Sequence, residues 1–313
     1  MNTNFLRRWS RPKVVLVIST LAESPAHTLR VVSGLKNTGA TLVLVQLAPS
    51  DTFSASGREI PFLVRAVAAI FERNSGRDAD QAFLWAEILS EVTVLGSTPL
   101  ERIPPLVDSL AADLVVLTAP EIGRIRFRAL NDVDTDLFSR LRVPILVYGM
   151  RMEMTPWNGR EPRKILVPVA FGPGLDLQIR FACRFARRHH GCLTVLHVFQ
   201  ECEANADPWQ RTPVSVESKL PISDLKQEGI MCPMEIVVGV GYPERKILSF
   251  NEQKPHDLIL MGGSRTMNSL PGSSHSVTHA VIAQASCPVL ILGSAIIGAS
   301  SDLTESVSEL STA

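Results

Sequence analysis

The sequence predicts an α/β protein: a parallel sheet with helices on both faces, built twice in tandem. Three observations carry this. Continuous apolar runs such as KVVLVIS at 13–19 and TLVLVQL at 41–47 have the pattern of strands buried on both faces. Segments with helically spaced apolar residues separate these runs, the alternation that gives parallel sheets. The order of elements then restarts at KILVPVA, 164–170.

Residues 1–12 form a polar lead-in to the first strand at 13–19. A helix is expected over 25–36, with Val31, Val32 and Leu35 facing inward, before the second strand at 41–47. A turn-rich loop at 49–61 leads to a long helical region at 62–90 and a short strand at 91–95. The next helix is expected to start at Pro104-Pro105, because proline suits a first turn and not an interior. Strands DLVVL at 113–117 and VPILVY at 143–148 close the half. Residues 151–162, with two prolines and Asn158-Gly159, read as a linker.

The second half repeats the first. KILVPVA echoes KVVLVIS and LTVLHVF at 193–199 echoes LVLVQLA at 42–48, both 151 positions on. Pro243, Asp257 and Pro288 follow Pro99, Asp113 and Pro144 by 144 positions. A seven-residue difference between two ungapped blocks marks a tandem duplication. The expected units are 13–150 and 163–293, followed by a Ser/Thr-rich tail at 294–313.

Composition narrows the partners. Lys plus Arg and Asp plus Glu both total 31, so the formal net charge is zero and nothing favours nucleic acid. No apolar run approaches the roughly 20 residues of a membrane span, and no signal segment opens the chain, so a cytoplasmic address is expected. Five cysteines without a CxxC read as reduced thiols, mostly buried.

The stretch from Asp257 to Leu292 is the most informative. DLILMG is a buried strand, and a Gly- and Ser-rich loop follows it. Ser276 is placed to cap a helix carrying Val277, Val281, Ile282 and Ala285 before the strand PVLIL. Strand, small-residue loop and helix N-terminus form the geometry that holds phosphate.

With these runs in both halves, the sequence resembles the universal stress protein family in its tandem form. The resemblance implies two Rossmann-like domains (adenine nucleotide alpha hydrolase-like), each a five-stranded parallel sheet with helices on both faces. It also implies pairing through the final strands, as an intramolecular pseudo-dimer or a homodimer. Members that bind ATP carry an Asp after the first strand and a G-x-x-G-x9-G-S/T loop after the fourth. Here Gly262 holds the first glycine position, Arg265 the second and His275 the third, while Ser276 keeps the hydroxyl. Ala170 stands at the Asp position; Gly263 and Gly272 are glycines at other places in or beside the loop. In the first half Thr118, Glu121, Asn131 and Asp132 occupy the loop positions and Ser19 the Asp position, and two acidic side chains there would repel phosphate.

Two functions stand open at this point. One is a stress-linked regulatory or binding module acting through protein contacts, with nucleotide binding weakened or lost. The other is an adenine-nucleotide sensor with ATP bound in the second half by Gly262, Gly263, Arg265, Ser276 and the strand end at Val198, with Ala170, His275 and Val277 beside it. Arg265 and His275 either pair with phosphate or line a vacated pocket, since a side chain at a glycine position prevents close backbone approach. His275 and His279 are four apart, but no third metal ligand is evident, and solvent-facing histidines are the simpler reading. His197 reads as a satisfied core or edge residue, and Cys287 as a packed thiol. No GxSxG, P-loop or HExxH is present, so a dedicated enzyme is not expected and slow ATP hydrolysis is the one activity left open.

Overall fold

A computed structural model describes residues 13–20, 41–47, 94–95, 99–118, 140–148, 162–172, 174–200, 212–262, 277–293 and 296. The expected helix at 25–36, the loop at 49–61, the helical region at 62–90, the linker apart from Pro162 and the tail apart from Ile296 lie outside the described residues; Ile296 is buried in the core.

The first half supplies β1 (Val14–Thr20), β2 (Thr41–Leu47), β3 (Val94–Leu95), α1 (Pro99–Ser109), β4 (Leu114–Thr118) and β5 (Ile145–Tyr148). The second supplies β6 (Lys164–Val169), α2 (Leu175–Arg188), β7 (Cys192–Phe199), α3 (Pro213–Glu217), α4 (Ile222–Gln227) and β8 (Met234–Val240). It ends with α5 (Pro243–Gln253), β9 (Leu258–Gly262), α6 (Val277–Gln284) and β10 (Val289–Leu292). The two expected five-stranded sheets are halves of one ten-stranded sheet, ordered β3-β2-β1-β4-β5-β10-β9-β6-β7-β8. Within each half the pairs are parallel, and β5 meets β10 antiparallel.

Alternation along the strands divides the core in two. Ile165, Val167, Leu193, Val195, Leu258 and Leu260 pack with α2 through Phe181, Ala182 and Phe185. Leu166, Leu196, Ile259 and Met261 face the other way, towards Ile247 of α5 and Val281 and Ile282 of α6. Both faces are apolar, which is why the strands read as unbroken hydrophobic runs.

Register revises the repeat. Val14 faces Thr41 and Lys164 faces Cys192, so β6 follows β1 by 150 positions while β7 follows β2 by 151. Two carboxylates fix this. Asp113 Oδ2 accepts from the backbone N–H groups of Lys13 and Val14, at 2.7 and 3.1 Å. Asp257 Oδ2 accepts from those of Arg163 and Lys164, each at 2.8 Å. The counterpart of Ala170 is therefore Thr20, not Ser19. From β3 onward the spacing of 144 holds, with Gln46 facing Val94 as His197 faces Val238.

Helix α1 corrects the expected start at Pro104-Pro105. It begins at Pro99, and both other prolines lie inside it. Pro99 is the first-turn proline, as Pro243 is in α5. Burial of Ile103 and Val107 against the sheet offsets the hydrogen bonds that Pro104 and Pro105 cannot make.

Candidate functional site

Strand order reverses beside β6: β7 lies on one side of it and β9 on the other. The crevice beyond the carboxyl ends of strands at such a point is where open α/β sheets place ligands. Val169, Val198 and Gly262 end or nearly end the three neighbouring strands there, with Ala170 exposed just beyond β6. The structure thus brings together the strand-end residues Ala170, Val198 and Gly262. Val277 opens α6 and is half-buried. Gly263, Arg265, His275 and Ser276 lie outside the described residues, as do Glu121, Asn131 and Asp132 of the first half.

Strands β6 and β9 part early. Only Ile165↔Leu258 and Leu166↔Ile259 are in register, whereas β1 and β4 continue to Ile18↔Leu117. Pro168 occupies the position of Ile18. In a regular parallel ladder the N–H at 168 would donate to Leu260 O, but proline has none. The buried side chain of Gln178, on the first turn of α2, takes its place. Its Nε2 donates to Leu260 O at 3.3 Å and to Pro168 O at 2.9 Å.

The amide then dictates its neighbour. A Cβ built on Gly262 would stand 2.9 Å from Gln178 Oε1, closer than side-chain packing permits. Gly262 therefore makes room for this chain's own glutamine, whatever else it does. Helix α2 is held in position for this. Gly174 enters it with φ +92, a left-handed conformation that favours glycine. Arg180, nearly buried, bridges Asp176 at 2.7 Å, Asp224 at 3.1 Å and Glu228, tying α2 to α4.

On the β7 side the crevice is walled by rings. The His197 ring lies 4.1 Å from that of Phe171, tilted by 38°, and meets Phe199 edge-on at 4.5 Å. Its Nδ1 lies 2.9 Å from Val169 O; a carbonyl only accepts, so Nδ1 carries the proton. Lys219 Nζ sits 4.2 Å above the Phe171 ring. His197 is thus a satisfied buried histidine, as its strand position indicates. Val198 faces the opposite core, among Leu196, Met261 and Ile247.

His279 departs from expectation: it is buried, not solvent-facing. Among the described residues no three His, Cys, Asp or Glu side chains are grouped for a metal, and no helix is long and apolar enough to cross a membrane. Cys183, Cys232 and Cys287 are buried and Cys192 is exposed. Burial pushes the Cys287 thiol up to about 12, the opposite of a reactive thiolate. Sequence reasoning missed Gln178. The available signal was paired: a proline inside the strand KILVPV, which removes a donor, and an amide on the apolar face of the next helix.

No curated protein matches the chain. Among solved structures it is similar to a universal stress protein from Archaeoglobus fulgidus DSM 4304, at 15% identity and a TM-score of 0.56, covering 91% of this chain and 97% of that one. It is also similar to a functionally unknown protein from Pseudomonas aeruginosa PAO1, at 12% identity and a TM-score of 0.58, covering 96% and 99%. At these identities the likeness shows the fold. Residues 161–293, the second half of the chain, match the model of the universal stress protein family.

Proposed function

We propose that this protein is a regulatory or binding module of the stress response that works through protein contacts, with nucleotide binding weakened or lost. The match of residues 161–293 to the universal stress protein family supports the stress-response role. The observation that carries the rest is Gln178. Its amide fills the gap between β6 and β9 that a ligand at the strand ends would approach. Ala170 stands where the ATP-binding members of the family carry an Asp, and Arg265 and His275 stand where they carry glycines. The antiparallel seam between β5 and β10 pairs the halves through their final strands, which supports reading the chain as an intramolecular pseudo-dimer. Mass analysis of the purified full chain tests the loss of nucleotide. Absence of bound adenine nucleotide supports it; one nucleotide per chain contradicts it.

A second reading, an ATP sensor in the same half, draws on the frame that remains. Gly262 ends β9, Val277 opens α6, and the family match spans both. Arg265→Gly separates the roles of the arginine: tighter ATP binding marks it as an obstruction, weaker binding as a phosphate ligand.

A further inference from the structure

At the opposite end of the sheet the second half buries a chain of polar side chains. His256 Nδ1 lies 3.3 Å from Asn251 Oδ1, which also accepts from the His256 backbone N–H at 3.2 Å. An amide oxygen only accepts, so Nδ1 carries the proton and Nε2 accepts from Thr194 Oγ1 at 3.1 Å. Asn251 Nδ2 donates to Ser286 Oγ at 3.2 Å and lies 3.7 Å from Cys287 Sγ. The network links α5, β7 and the entry to β9 to the residues that lead into β10, the seam strand.

The repeat supplies the comparison. Thr194, Asn251, His256 and Cys287 correspond to Val43, Val107, Ala112 and Val143, and all eight are buried. The same fold is built apolar in one half and polar in the other, so the fold does not require the polar set. A buried imidazole admits a proton only at a cost.

We propose that Thr194, Asn251, His256 and Cys287 form a proton-sensitive unit that loosens the second half in acid, while the apolar set in the first half leaves that half unresponsive. Charging His256 places a cation under Phe250, whose ring is 5.8 Å away, and forces the Thr194 hydroxyl to reverse. Lys254 and Lys164 oppose that charge and Asp257 favours it; Glu235, on the neighbouring strand, is paired with Lys254. Burial first, then Lys254, holds His256 below its ordinary 6.5. The sign follows. With the folded value depressed, stability is full above the unfolded value and falls as pH drops through 6.5 towards the folded one. Each unit of separation changes the closed-to-open ratio about tenfold.

Amide hydrogen exchange on the full chain at about pH 7.5 and about pH 5.5, corrected for intrinsic rates, tests this. Protection in 251–260 and 287–292 is expected to fall in acid, while 107–116 holds. The variant T194V/N251V/H256A/C287V, carrying the first-half residues, is expected to lose that difference. Equal acid loss in both halves, or an undiminished difference in the variant, overturns the proposal. Should the variant fail to fold, NMR titration of His256 in the native chain decides: a midpoint below the ordinary value supports the proposal, and one at or above it overturns it.

Discussion

Leu146 and Leu290 are the same position in the two halves, 144 residues apart, and they are also partners across the seam. Val289 faces Val147 and Ile291 faces Ile145 on either side. A local two-fold axis therefore passes through the Leu146–Leu290 pair, the self-complementary arrangement of a two-fold interface, here within one chain. Both side chains are buried in the same core cluster as the apolar residues of α2.

Either leucine cut to alanine is expected to cost about 2–5 kcal/mol in urea unfolding. Because the two share one contact, the double substitution should cost less than the sum by about 0.5 kcal/mol or more. Strict additivity would mean that the seam is not packed as a unit.

Gln178 and Gly262 give a second coupled pair. Gln178→Ala leaves Leu260 O and Pro168 O without their donor and is expected to cost about 1–3 kcal/mol. Gly262→Ala in the native background pushes the amide off both carbonyls and should cost a similar amount. In the Gln178→Ala background the added methyl has room, and its cost should fall to near zero. A Gly262→Ala cost that is the same in both backgrounds would show that the glycine serves something other than the glutamine.

Tyr148 ends β5 with its hydroxyl buried and without a hydrogen-bond partner among the described residues. Burial alone pushes its phenol well above the ordinary tyrosine range. Leu292 holds the corresponding place in the second half, fully buried. Tyr148→Phe removes an orphaned polar group, so it should be neutral or stabilise by about 1 kcal/mol. A loss of similar size would reveal a partner for the hydroxyl.

Periodicity and repetition made the frame legible. Unbroken apolar runs gave the strands, and Asp113 and Asp257 sat at matching places because each caps the start of a neighbouring strand. The exact register was less legible, since KVVLVIS and KILVPVA match best one residue away from where those two carboxylates hold them. At α1 the prolines at 104 and 105 looked like a helix start; burial of Ile103 and Val107 outweighs their local cost. The site was half legible. Loop residues could be compared one by one with a glycine pattern, but the Gln178 bridge between β6 and β9 is a non-local device. It depends on a missing donor at Pro168 being met by a side chain ten residues on.

The most direct test of the account is a calorimetric titration of the full chain with ATP and magnesium. The buried Gln178 amide between β6 and β9 and the departures from the glycine pattern in the loop lead us to expect no saturable heat up to about 1 mM ATP, so binding weaker than about −4 kcal/mol. Saturation at one nucleotide per chain with a micromolar constant would contradict it.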